Sequence, residues 1–147
     1  METDWSLRFI KLAQYLSTWS KDPSTKVGCV IVGADREILS TGFNGFPRGI
    51  GDDDRLNDRA KKYPIICHAE ENAILHAARN GIPLKGSFLY VSSLPPCARC
   101  ARMIIQTGIS VVAHVEQEVP ERWREEVETS ANLFAEAGVL VQPLRVF

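Results

Sequence analysis

Apolar side chains recur at intervals of three and four through residues 4–20, at Trp5, Phe9, Leu12, Ala13, Leu16 and Trp19, which predicts one face of a helix. Thr3 or Asp4 can cap it. Residues 26–32 are rich in β-branched side chains and predict a buried strand, and Gly33-Ala34-Asp35-Arg36 predicts a hairpin turn into an antiparallel partner at 37–43. Further helices are expected over 68–80, 98–107 and 121–137, the last through Trp123, Val127, Ala131, Phe134 and Ala135. Asn80-Gly81, Gly108 and Gly138 close these helices, and strands at 87–91, 109–113 and 139–141 fill the gaps. The order is α-β-β-α-β-α-β-α-β, one mixed sheet with helices against it. Crossovers through helices after residue 86 suit parallel strands.

A length of 147 residues fits one domain, with 45% hydrophobic and 24% charged residues, enough apolar material for a core. The net charge of −1 lacks the basic excess that nonspecific nucleic-acid or anionic-membrane binding needs, so neither partner is expected. No apolar run approaches a membrane span, and Met1-Glu2-Thr3-Asp4 is acidic where a secretory signal is basic; a cytoplasmic protein is expected. Cys29 and Cys67 read as thiols of a reducing compartment.

The chemistry sits in Cys67-His68-Ala69-Glu70-Glu71-Asn72-Ala73-Ile74 and Pro96-Cys97-Ala98-Arg99-Cys100. His68, Cys97 and Cys100 offer one imidazole and two thiolates, a set that suits one tetrahedral zinc ion and leaves one corner open for water. Zinc lowers the pKa of such a water, and Glu70, two residues after the histidine at a helix start, can move its proton without binding the metal. Cys-x-x-Cys alone could be a redox pair or half a zinc ribbon. A His-x-Glu followed by Pro-Cys-x-x-Cys is the pattern of zinc nucleobase deaminases.

Three other stretches bear on ligand binding. Gly42-Phe43-Asn44-Gly45-Phe46-Pro47-Arg48-Gly49 cannot be regular structure; it is either a plain surface loop or one whose backbone N–H groups and Asn44 amide approach a ligand. His68, Asn72, His76 and Arg79 form one stripe of their helix, directed towards the cleft or a subunit contact, or simply exposed. Residues 50–64 read as a loop or short helix over the mouth of the site, and Asp52-Asp53-Asp54 within them as a solvated acidic turn.

With these motifs and Asp22-Pro23-Ser24-Thr25-Lys26-Val27-Gly28, the chain resembles the deoxycytidylate (dCMP) deaminases over nearly its whole length. The resemblance implies the cytidine deaminase-like fold, a three-layer α/β/α arrangement around a five-stranded mixed sheet. It also implies a hydrolase that converts dCMP to dUMP and ammonia, the precursor of thymidylate. Glu70 would shuttle protons, first to N3 and then to the departing amine. Asn44 would hydrogen-bond the sugar or an adjacent nucleotide group, Gly45 and Asn72 would belong to the substrate or effector site, and Arg79 matches a basic position linked to substrate handling or regulation. Lys26, Arg48 and Arg102 are phosphate candidates. Many family members are homo-hexamers activated by dCTP and inhibited by dTTP with Mg2+, the glycine-rich loop taking part. Two departures stand out: Phe43 replaces the usual tyrosine, and 50–63 lacks the His and Cys ligands of a second zinc.

The nearest rival keeps the zinc chemistry and acts on another base or nucleoside: a tRNA adenosine, guanine or cytidine deaminase. A tRNA enzyme should carry a basic surface and tail, whereas this chain ends in Pro143-Leu144-Arg145-Val146-Phe147. A noncatalytic zinc or nucleotide-binding module is the rival from another class, but it would need a fourth protein ligand, and neither Cys67 nor His76 is spaced for that.

Overall fold

The computed structural model describes residues 3–146. Five helices, α1 (Asp4–Ser17), α2 (Arg59–Lys62), α3 (Ala69–Arg79), α4 (Ala98–Thr107) and α5 (Arg124–Ala137), accompany five strands. The strands are β1 (Gly28–Val32), β2 (Ile38–Phe43), β3 (Phe88–Val91), β4 (Val111–Val115) and β5 (Leu140–Leu144), and single 3-10 turns occupy Asp54–Asn57 and Glu121–Trp123. The sheet order is β2-β1-β3-β4-β5. β1 runs antiparallel to β2 and β3, while β3, β4 and β5 are mutually parallel, as the helical crossovers require.

Alternation along β1 divides the core in two. Cys29 and Ile31 face Ala73, Ala77, Ile104 and Phe134 on the side of α3, α4 and α5, whereas Val30 and Val32 face Phe9, Ile10 and Ala13 of α1. The result is three layers, α1 against one face and α3, α4 and α5 against the other. Each fully buried residue such as Ile10 or Phe134 contributes about 1.5–3 kcal/mol of transfer free energy. Two glycines set the spacing of the layers. A Cβ at Gly28 would collide with the Ala13 carbonyl of α1, and one at Gly42 would come within 2.5 Å of the Ala69 carbonyl oxygen and Ala73 nitrogen of α3. Helix α3, which begins beside His68, therefore lies hard against β2.

Several expected boundaries move for local reasons. Thr3 Oγ1 caps α1 by accepting from the Ser6 amide, but the helix stops at Ser17 and not near residue 20. Trp5 and Trp19, expected on its buried face, are 39% and 53% exposed. Arg8 and Arg36 stack on Trp5, and Trp19 meets Phe43 edge-on beyond the helix end. β4 and β5 begin later than expected because Gly108 and Gly138, at φ 84° and 78°, are followed by residues that bond back to the preceding helix, Ile109 to Ile104 and Val139 to Phe134. The 3-10 turn before α5 changes its phase: Ser130 and Phe134 face inward while Ala131 and Ala135 are exposed. The Ser130 hydroxyl lies buried with no hydrogen-bond partner among the described residues. No helix among the described residues is long and apolar enough to cross a membrane.

Candidate metal centre and its cavity

Two helix starts meet at the site. His68 is the N-cap of α3 and Cys97 the N-cap of α4, so sequence-distant ligands sit where helix dipoles present their positive ends. His68 Nδ1 lies 3.4 Å from Cys97 Sγ and 3.5 Å from Cys100 Sγ, and all three donor atoms fall within 4.8 Å of one another. A tetrahedral centre with Zn–S of ~2.3 Å and Zn–N of ~2.0 Å separates its nitrogen and sulfur donors by about 3.5 Å, so the residues fit that ion.

The protonation of the cluster points the same way. Cys97 is lowered to about 3, first by the hydrogen bond from Cys100, with His68 and the Cys100 amide adding to it against the cost of burial. Cys100 moves upward, because it donates to Cys97 and is itself buried. His68 is raised, chiefly by the Cys97 sulfur beside it. Binding of a divalent cation would require both sulfurs as thiolates.

Glu70 occupies the first turn of α3 and is 5% exposed. Burial pushes its carboxyl upward, opposed mainly by the charge of His68. It lines, with His68 and Cys97, a cavity of about 570 Å³, within the range of small-molecule sites. The cavity walls come from Asp22–Thr25 and Val27, from the segment between Leu56 and Ile66, from Ser93–Pro95 and Cys97, and from the segment between Arg122 and Val127. Of the 50–64 segment, which forms a 3-10 turn followed by α2, Leu56, Asn57, Arg59, Lys62 and Tyr63 line the cavity.

The expected nucleotide contacts distribute unevenly. Asn44 lines the cavity, but its amide is engaged: Oδ1 accepts from the Val27 amide at 2.8 Å, and Nδ2 donates to the Thr25 carbonyl at 2.8 Å and to Asp22 Oδ2 at 3.4 Å. Gly45 pairs with Cys67 in an isolated bridge. Asn72 donates to the Phe43 carbonyl, and His76 joins the Thr41 carbonyl to Arg48, so these two members of the stripe face β2 while His68 at its start lines the cavity. Lys26 donates to the Ser20 carbonyl. Lys26, Arg48, Arg79 and Arg102 are all absent from the cavity wall.

Arg59, Lys62, Arg122 and Trp123, which the sequence reading did not single out as site residues, line the cavity. The basic run Arg59-Ala60-Lys61-Lys62 was the visible signal, but only Lys62 of that run is buried. Its Nζ reaches Asp22 Oδ1 at 3.1 Å and Ser24 Oγ at 2.7 Å. Asp22 in turn accepts from the Ser24 amide and hydroxyl and the Thr25 amide, which folds the 22–25 loop onto the cavity.

A tie joins the two halves of the ligand set. Glu71 Oε1 accepts from the His68 amide at 3.2 Å and from Arg99, between the two cysteines, at 3.4 Å. Glu71→Ala is expected to lower zinc affinity roughly tenfold, since groups that orient ligands carry that order of effect and Arg99 is half-exposed. Chelator competition measures it. Glu71→Gln, which keeps an acceptor for the His68 amide, should lose less, and an unchanged affinity in Glu71→Ala would show that the tie does not hold the ligands.

A family model described as "Cytidine and deoxycytidylate deaminase zinc-binding region" matches residues 3–116. A relative from Aliivibrio fischeri named "Uncharacterized deaminase in luxG 3'region" is 46% identical over 143 residues, covering 96% of this chain and 94% of its own. The deoxycytidylate deaminase of Mus musculus is 38% identical over 144 residues, covering 92% of this chain and 77% of the mouse protein. Among solved structures, the dCMP deaminase of cyanophage S-TIM5 in complex with dCMP and dUMP superposes with a TM-score of 0.79 at 26% identity, over 98% of this chain and 99% of that one.

Proposed function

Because the chain belongs to the cytidine and deoxycytidylate deaminases, we propose that His68, Cys97 and Cys100 hold one zinc ion and that Glu70 moves the protons of its reaction. That reaction is the hydrolytic deamination of dCMP to dUMP and ammonia. The observation that carries the assignment of residues is the convergence of the three donors and a buried carboxylate in one cavity.

When bound, zinc supplies Lewis-acid activation of the attacking water. Glu70 accepts a proton as the water oxygen adds to C4 of the cytosine and delivers it to N3. It then carries a second proton to the amino group, which leaves as ammonia while the carbonyl of uracil forms. Proton transfer requires that the carboxylate stay within hydrogen-bond reach of both partners, and the first turn of a helix packed on β2 provides that rigidity. The apolar side of the cavity, from Leu56, Ile66, Val91 and Leu94, excludes bulk water from the base.

A cytoplasmic location belongs with this reading, since none of the four cysteines is paired in a disulfide and a reducing compartment keeps thiols in that state. So does control by dCTP and by dTTP with Mg2+ in a homo-hexamer, which we assign to the loop around Gly45 and Arg48, outside the cavity. Incubation of the purified protein with dCMP, deoxycytidine, guanine and a tRNA anticodon stem, read by ammonia release, tests the substrate. Turnover of another of these without dCMP would overturn it.

A further inference from the structure

Three cations line the cavity, and only one of them has a counter-charge. Lys62 is buried against Asp22. Arg59 and Arg122 are exposed at the rim, and among the described residues neither guanidinium has a hydrogen-bond acceptor or an ion pair. Each is held instead by an aromatic ring: Arg59 lies 4.7 Å from the centroid of Tyr63, and Arg122 lies 5.6 Å from that of Trp123. Glu126, which also lines the cavity, accepts from the Ala98 amide at 2.9 Å.

We propose that Arg59 and Arg122 bind the 5′-phosphate of the nucleotide and set the preference of this enzyme for a nucleotide over its nucleoside. The proposal rests on the dCMP reading above. A planar guanidinium matches two phosphate oxygens at once, and an aromatic face fixes its plane before the ligand arrives, so little side-chain entropy is lost on binding. Position agrees with chemistry. The base must reach His68, Cys97 and Glu70, which are half-buried or buried, so the dianionic end of the same molecule extends towards the exposed rim. The two arginines come from separate elements, α2 and the 3-10 turn before α5, and only the folded chain brings them to one cavity.

The test compares wild type, Arg59→Ala, Arg122→Ala, Arg122→Lys and the double alanine variant on dCMP and deoxycytidine. Both sites are exposed, so thermal unfolding should be unchanged. Each alanine variant is expected to raise the KM for dCMP by roughly tenfold to a hundredfold with kcat little altered, the order expected for a charged hydrogen bond. Arg122→Lys should recover part of that loss. Inhibition by dUMP should weaken in parallel while inhibition by deoxyuridine holds, a binding readout independent of turnover. Equal losses for nucleotide and nucleoside, or an unchanged KM for dCMP in the double variant, would overturn the proposal. Wild-type protein that turns over deoxycytidine but not dCMP would instead remove the substrate reading on which it stands.

Discussion

Replacing Glu70 by glutamine is expected to lower dCMP turnover by roughly 10²–10⁴-fold, the range over which a positioned general acid and base acts. Glutamine is nearly isosteric, so the cavity wall stays closed, yet its amide cannot take a proton from water and return it to N3 or the amino group. Zinc content should remain one ion per chain, because the donors are His68, Cys97 and Cys100 and the carboxylate is not among the clustered ligands. Stability should hold or rise. Glu70 is 5% exposed and its carboxyl is pushed upward by burial, so the folded chain bears a desolvation cost that glutamine removes. Metal analysis, ammonia release and thermal unfolding on one preparation separate these effects. A variant that binds zinc and deaminates at the wild-type rate would take Glu70 out of the mechanism.

Lys62→Met should destabilise the protein by about 3–5 kcal/mol, the cost of removing one partner of a buried ion pair. Lys62 and Asp22 have side chains only 9% and 5% exposed, and the remaining charge cannot return to water without opening the 22–25 loop. Against a total of ~5–15 kcal/mol for a domain of this kind, the loss is large. Urea unfolding should show a lower midpoint with an unchanged slope. The double variant Asp22→Asn with Lys62→Met should recover part of the loss, since neither charge is then buried alone. The pH dependence follows from Asp22. Burial raises its pKa, but the hydrogen bonds from the Ser24 amide, Lys62, the Ser24 hydroxyl and the Thr25 amide outweigh it, and the net shift is below the ordinary value of 3.8. A carboxylate depressed in the folded state contributes stability that is fully present above 3.8 and is lost as pH falls through the lower folded value. The stability difference between wild type and Asp22→Asn should therefore shrink below pH 3.8 and be constant above it.

The metal site was legible because its determinants are local. His68 and Glu70 share one helical turn, Cys97 and Cys100 another, and each pair keeps its internal geometry wherever the helix packs. The protein partners of the other candidate residues were not legible in this way. Asn44 stood in a glycine-rich loop that suggested a ligand, yet its amide closes backbone bonds to Thr25 and Val27. The stripe of Asn72 and His76 was seen as a stripe, but its facing partner, the β2 edge, lies about thirty residues away in sequence. A periodic pattern gives the direction of a side chain on its own element and leaves its neighbour undetermined.

Hydrophobic periodicity, caps and the two ligand motifs determined, from the sequence by itself, the order of the elements, the mixed sheet and three candidate metal donors with an acid close in sequence. Tertiary structure alone decided which charges are buried, which are neutralised and which remain open at the cavity rim: Lys62 against Asp22 forty residues away, and Arg59 and Arg122 with no ion pair among the described residues. The reason is physical. Backbone preference and amphipathic spacing act within a few residues, whereas the partner of a long charged side chain is set by which distant segments the core brings together.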